Sequence, residues 1–420
     1  MGFSGVVFSL LVSMSAQLPA AELSVEAVEK LPAVQRATEF FVRESEWILQ
    51  QQIRLTSIPA PPFHEEERAR YLEEQFRAVG LEQVRRDGIG NVLGERPGLD
   101  PDHLVLVSAH IDTVFPPQTE IEVRKEGDRW VGPGIADNGA GLAALLALAR
   151  ALEESRLHTE ATLLFVANVG EEGEGNLRGM QALFSDGALR RRVRAAIAVD
   201  GSNAERLTAK ALSSKRFEII IRGPGGHSWA DFGLPNPIQA LARAITRMTA
   251  APIPTQPRTA LNIGQIEGGT AVNAIPYQAS LKVDIRSEME SEIERLESAL
   301  RTAVAEAVAE ENTWARTPGG PLEAEVKVIG QRPGGELPPT ARIIEVFRAV
   351  DNHLGIKTSI QRSSTDANVP ISLGIEAVAV GGGGRSGASH SLREWYDPAG
   401  REVGLKRILL VLVVLAGVEE

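Results

Sequence analysis

Cysteine is absent from the 420 residues. That excludes disulfides, thiolate metal sites and a cysteine nucleophile, and leaves any metal to His, Asp and Glu. A basic excess is absent too: 44 Lys and Arg stand against 55 Asp and Glu, for a formal net charge of −11. Nucleic acid or an anionic membrane surface would need a basic face, so neither is an expected partner. The apolar run at residues 408–418 is too short to span a bilayer and reads as a buried terminal helix. The N-terminus lacks the positive charge of a secretory signal, since its first basic residue is Lys30. The apolar stretch 6–14, followed by small residues at 15–21, otherwise resembles one. Export with residues 1–22 as the signal is the favoured expectation, and a cytoplasmic location is the alternative.

What is present is the composition of a soluble globular protein, 43% hydrophobic and 24% charged. The length exceeds one ordinary core, so two domains are expected. Residues 35–80 read as helical, broken by the proline-rich segment 58–62. Short continuous apolar runs follow at 104–109, 161–169, 195–199 and 377–380, with an Ala- and Leu-rich helix expected at 142–152. This pattern predicts an α/β fold whose sheet has buried strands. Residues 212–322 differ. Alternating strands at 216–222 and 279–286 and helical stretches at 237–249 and 288–311 give α+β patterning. They read as an inserted second domain, with the catalytic domain formed by 23–211 and 323–420 and its sheet resuming near Glu323.

Each apolar run delivers a polar residue at or just beyond its end, where ligands bind in open α/β sheets. The first gives His110 with Asp112 two residues on, a metal ligand and a carboxylate able to fix its imidazole. Either is also at home in an ordinary surface loop. The second gives Glu171 and Glu172, flanked by Gly170, Gly173 and Gly175. Adjacent carboxylates ionise together cheaply only beside a cation, which suggests one ligand and one proton carrier. The third gives Asp200, and the fourth leads through four glycines to His390. Asp137, in the glycine-rich turn before the 142–152 helix, suits a carboxylate bridging two cations, or a helix N-cap. A rival dinucleotide fingerprint at Gly139, Gly141 and Ala144 lacks a strand directly before it, and its acidic partner, Glu171, comes about ten residues late. Taken together, two histidines and several carboxylates suit two divalent cations, zinc first, with cobalt or manganese as alternatives. Such a pair, sharing one carboxylate, activates water and polarises a carbonyl.

The order His110-x-Asp112, Gly134-x-x-Asp137-Asn138-Gly139, Glu171-Glu172, Asp200 and a late His390 resembles the co-catalytic zinc exopeptidase and deacylase family. Peptidase T, carboxypeptidase G, aminoacylase, acetylornithine deacetylase and succinyl-diaminopimelate desuccinylase belong to that family. The resemblance runs from about residue 45 to the end of the chain. It implies a mixed sheet flanked by helices, with an inserted α+β lid and dimerisation domain. It further implies Asp137 as bridging ligand, His110 and Asp200 completing one metal site, and Glu172 and His390 the other. Glu171 would be the general base, Asp112 the support of His110, and a cis peptide would fall at Asp137–Asn138. His227, in Gly223-Pro224-Gly225-Gly226-His227-Ser228, would stabilise the oxyanion, and Asn273 and Arg286 would contact substrate. A homodimer through residues 212–322 is implied as well. The expected activity is amide hydrolysis in small peptides, peptidase T-like. An N-acyl amino acid deacylase is the near alternative, and a non-catalytic metal-binding protein or a nucleotide-dependent oxidoreductase the distant ones.

Overall fold

The computed structural model describes residues 24–418, so the apolar stretch before them lies outside the described residues. A nine-stranded mixed sheet forms the larger layer. At its centre Ala161–Asn168, Asp100–His110, Val193–Val199 and Glu376–Val380 lie side by side and parallel. These are the four apolar runs. Parallel strands covered on both faces need side chains that are apolar throughout, and every residue of Ala161–Asn168 is buried. The register aligns their carboxyl ends: His110 sits opposite Asn168, and Val380 opposite Val199. Four polar segments therefore emerge along one rim.

The helix Gly139–Ser155 packs on the sheet and is buried along nearly its whole length, as its Ala- and Leu-rich sequence requires. The apolar C-terminal run becomes the buried helix Arg401–Ala416, held by Arg407, whose buried guanidinium pairs with Asp351 at 2.5 and 2.8 Å. Among the described residues no helix is long and apolar enough to cross a membrane. Arg68, also buried, donates to the carbonyls of Ile58 (2.9 Å) and Ile111 (2.7 Å), tying the proline-rich segment to the end of the His110 strand.

The second layer is a four-stranded antiparallel sheet in the order Thr259–Gly268, Gln278–Ser287, Ser213–Arg222, Glu323–Arg332. Helices Pro237–Ala250 and Glu290–Trp314 cover one face. Gln278–Ser287 alternates between buried and half-buried residues, and its buried Leu281, Val283 and Ile285 join Phe217, Ile219, Leu241 and Leu296 in a separate core. The structure corrects one expectation. The large sheet does not resume near Glu323. Residues 323–332 instead pair along Ser213–Arg222, from Glu323 opposite Arg222 to Arg332 opposite Ser214. Nine paired residues, with a bulge at Ile329, and a buried Leu322 hold them there. The large sheet is rejoined at Gly335–Glu336, opposite Ala211 and Lys210. The two chain crossings between the layers thus run beside each other.

Candidate metal centre

His110 is buried at its strand end. Its Nε2 lies 3.1 Å from Asp137 Oδ1 and 3.9 Å from Asp200 Oδ1. Half-exposed His390 brings its Nε2 to 3.2 Å from Asp137 Oδ2 and 3.3 Å from Glu172 Oε1. Two triads result, His110–Asp137–Asp200 and Asp137–Glu172–His390, each with its ligand atoms within 4.8 Å of one another. Asp137 belongs to both and turns one oxygen to each histidine. Glu171 reaches the same centre, forming a third such group with His110 and Glu172.

The turn that carries Asp137 is fixed from three sides. Glu394 Oε1 accepts the amides of Ala136 and Asp137, both at 2.8 Å. The Asp137–Asn138 peptide is cis. The helix cap is Asn138 and not Asp137: its Oδ1 accepts from Gly141 N (3.0 Å) and Gly201 N (3.2 Å), and its Nδ2 donates to the Val199 carbonyl (2.9 Å). A Cβ on Gly141 would stand 2.4 Å from that carbonyl, so only glycine lets the helix approach the strand leading to Asp200.

Asp112 departs from its expected contact. Its carboxylate lies 3.7 Å from His110 Nδ1, and it is the Asp112 main-chain carbonyl that meets Nδ1 at 3.0 Å. The carboxylate is occupied elsewhere: Oδ1 accepts the amide of Glu171 (2.9 Å) and Oδ2 that of Glu172 (2.7 Å). Two backbone amides are better matched to a carboxylate's two oxygens than a single ring nitrogen is.

Four carboxylates and two imidazoles packed this tightly hold one another's protons. Burial alone would lower His110, but the negative carboxylates of Asp112 and Asp137 beside its ring outweigh it and lift the imidazole well above its ordinary value. His390 is raised to about 10 by hydrogen bonds to Asp137 and Glu172. Burial works to raise Asp137, yet the two histidines hold it well below the ordinary carboxylate range. Burial pushes Glu171 well above that range; Arg332 opposes the shift and Glu172 adds to it. Asp200 is also raised, by burial and by Asp137. Among the described residues, none donates a hydrogen bond to the buried Asp137 Oδ1. These features fit cations. The donors are all nitrogen and oxygen, lone pairs converge, and a cation takes the place of the protons now shared among them.

The remaining site candidates lie in the smaller layer. His227 pairs with Ala274 on a two-stranded ribbon, and the Asn273 carbonyl accepts from Ser228 N at 3.0 Å, so His227 and Asn273 are neighbours. His227 is exposed, and among the described residues its ring accepts only from the amides of Trp229 and Ala230 in its own loop. Arg286 donates to Asp284 at 2.7 Å. Among the described residues no hydrogen bond or ion pair joins these three to the metal cluster. A cavity of about 560 Å³ lies between the layers, with Phe63, Gly173 and Glu174 on one side and Arg216, Lys282 and Ile329 among the residues on the other.

Two contributors escaped the sequence reading, Glu394 and Arg332; Asp366 stands in a Thr365-Asp366-Ala367 segment that reads from the sequence as a helix cap or a support of the site and not as a ligand. Glu394 stands four residues after His390 without any pattern to mark it. Asp366 is buried, with Oδ2 accepting from Asn168 Nδ2 at 2.7 Å beside the end of the Glu171 strand. Arg332 pairs with Glu171 at 3.1 Å. The Pro333-Gly334-Gly335 turn was the one signal that a strand ends at Arg332.

The sequence profile of peptidase family M20/M25/M40 matches residues 106–413. The chain is 27% identical over 265 residues to the cytosol non-specific dipeptidase of Escherichia coli K12, covering 56% of this chain and 52% of that protein. It is 26% identical over 229 residues to carboxypeptidase G2 of a Pseudomonas species, covering 51% and 53%. The matched segment thus spans about half the length of these relatives. Among solved structures, the aminopeptidase PepT of Bacillus cereus superposes with a TM-score of 0.70 at 24% identity, over 89% of this chain and 99% of that one. A dinuclear metal binding peptidase of Bacillus subtilis superposes at 0.65 and 18% identity, over 90% and 99%. With the profile covering most of the chain and the fold shared over 89% of it, this protein belongs to peptidase family M20/M25/M40.

Proposed function

We propose that the protein is a two-metal hydrolase that cleaves an amide bond in small peptides, acting as an exopeptidase. The observation that carries this reading is the shared carboxylate: Asp137 turns Oδ1 to His110 and Oδ2 to His390. His110, Asp137 and Asp200 would hold one cation, and Asp137, Glu172 and His390 the other. Zinc suits this donor set, and cobalt or manganese would fit it as well. When bound, such a pair supplies Lewis acidity to the scissile carbonyl and makes the attacking water more acidic.

The chain's own groups do the rest. Glu171 takes the proton of the attacking water and returns it to the leaving nitrogen, the cycle of a general base that becomes a general acid. Its burial suits that work, because a carboxyl held well above the ordinary carboxylate range is a stronger base than a free one. Asp112 holds the Glu171–Glu172 backbone, and Glu394 holds Asp137. His227 donates to the oxygen on which negative charge develops, and Asn273 and Arg286 grip the substrate. Because His227 is exposed and bonded only within its loop, we assign it to the metal centre of a second copy, in a homodimer formed through residues 212–322. The open edge of Thr259–Gly268 supports that assignment.

Peptides are placed first because the dipeptidase, carboxypeptidase and aminopeptidase named above are similar to this chain. The test is hydrolysis of a mixed panel of di- and tripeptides and N-acyl amino acids, with and without a chelator. Chelator-sensitive cleavage of peptides is expected. Cleavage confined to N-acyl amino acids would assign the deacylase activity instead. A folded protein that holds two metals and cleaves neither class would overturn the enzymatic reading.

A further inference from the structure

The last strand of the smaller layer ends against the turn that carries Glu171. Arg332, its final residue, is buried. Its Nη2 donates to the Glu171 carbonyl, and its Nη1 to Glu171 Oε1 and to Ser364 Oγ, both at 3.1 Å. The neighbouring residue joins in: Gln331 N donates to Asn176 Oδ1 at 2.8 Å. On the adjacent strand, Arg216 Nη1 donates to the Gly173 carbonyl at 2.6 Å. From the other side, Asp112 accepts the amides of Glu171 and Glu172. The turn 171–176 is therefore clamped between the two layers.

The asymmetry of this clamp matters. Asp112 fixes only the main chain of Glu171, whereas Arg332 grips both its main chain and its carboxylate. A base works only within hydrogen-bond reach of the proton that it takes, and a glutamate side chain left to its rotamers misses that position much of the time. Arg332 is also anchored in a rigid sheet with its own core, directly before the chain crosses back at Pro333.

We infer that Arg332 is a positioning residue, which sets the carboxylate of Glu171 and makes that setting depend on how the smaller layer sits against the larger one. The inference rests on Glu171 being the base. A lysine would keep the charge but not the simultaneous hold on carbonyl and carboxylate, since a guanidinium presents two fixed donors where an ammonium is a point charge.

The experiment is steady-state kinetics of the full-length, metal-loaded protein and of R332M, R332K, Glu171→Gln and the Glu171→Gln/R332M double variant, with metal content measured for each. R332M is expected to lose kcat by on the order of 10–100-fold, as misplaced catalytic groups do, with KM changed by less than about threefold. Added guanidinium is expected to restore part of it. In the Glu171→Gln background the loss of Arg332 is expected to change nothing further. Losses that multiply in the double variant, or a raised KM at unchanged kcat, would overturn the inference. Should R332M fail to fold, R332K decides: full kcat overturns the proposal, and a reduced kcat with both metals kept supports it. Wild-type turnover in Glu171→Gln would instead bring down the assignment of the base, whatever Arg332 does.

Discussion

Asp112 and Glu172 are joined by a single short contact, the Glu172 amide donating to Asp112 Oδ2 at 2.7 Å, with the Glu171 amide on the other oxygen at 2.9 Å. One buried carboxylate thereby fixes the backbone of a proposed metal ligand and of the proposed base. Asp112→Asn replaces one acceptor with a donor and sets it against an amide. Metal affinity and kcat are each expected to fall by about 10–100-fold, as for other groups that hold ligands in place. Isothermal titration with zinc and steady-state kinetics check both; unchanged values would reduce Asp112 to a packing residue.

Glu171→Gln removes a proton acceptor and leaves every proposed ligand in place. Turnover is expected to fall by on the order of 10²–10⁴-fold while two metals per chain are retained, as read by rates and elemental analysis on one sample.

Glu394 separates two substitutions that look alike. Its Oε1 accepts two amides, while its buried Oε2 has no hydrogen-bond partner among the described residues. Burial raises this carboxyl to about 7. Glu394→Gln keeps the accepting oxygen and removes the titrating proton, so a small change in melting temperature is expected. Glu394→Ala strands two buried amides, at about 1–3 kcal/mol each, and loosens Asp137. A large drop in melting temperature and loss of metal are expected for alanine alone.

Asp366 gives a pH dependence with a definite sign. Burial, partly opposed by His110, raises its carboxyl to about 7, above the value near 4 of an unfolded aspartate. The folded chain then binds more protons than the unfolded one between those values, so this group's contribution to stability falls as pH rises from about 4 to about 7. In the metal-free protein, Asp366→Asn is expected to flatten that slope and to raise stability at pH 8, by up to a few kcal/mol. Denaturant unfolding at pH 5 and pH 8 reads the difference. An equal or steeper slope in the variant would show that other groups set it.

The legible part of this site was the part written in continuous apolar runs. The strands before His110, Glu171 and Asp200 are parallel and covered on both faces, so their ends could be read as one rim. The order of the acids and histidines supplied the family resemblance, and with it the expectation that Asp137 is shared between two sites. What stayed hidden depends on partners far away in the chain. Arg332 meets Glu171 across 161 residues, and Glu394 meets Ala136 across 258. No local period marks such contacts. The misplaced boundary has the same origin. The strand Glu323–Arg332 reads like any half-exposed strand, and only its ladder to Ser213–Arg222 assigns it to the smaller layer. For Asp112 the residue was legible and the atom was not, because sequence spacing does not say whether carboxylate or carbonyl faces the imidazole.

The central claim is a pair of cations sharing Asp137. Its most direct test is zinc titration of the metal-stripped protein while peptide hydrolysis is followed. Activity is expected to be absent without metal and to reach its plateau at two equivalents per chain. Undiminished cleavage in the stripped protein, or a plateau at one equivalent, would contradict it.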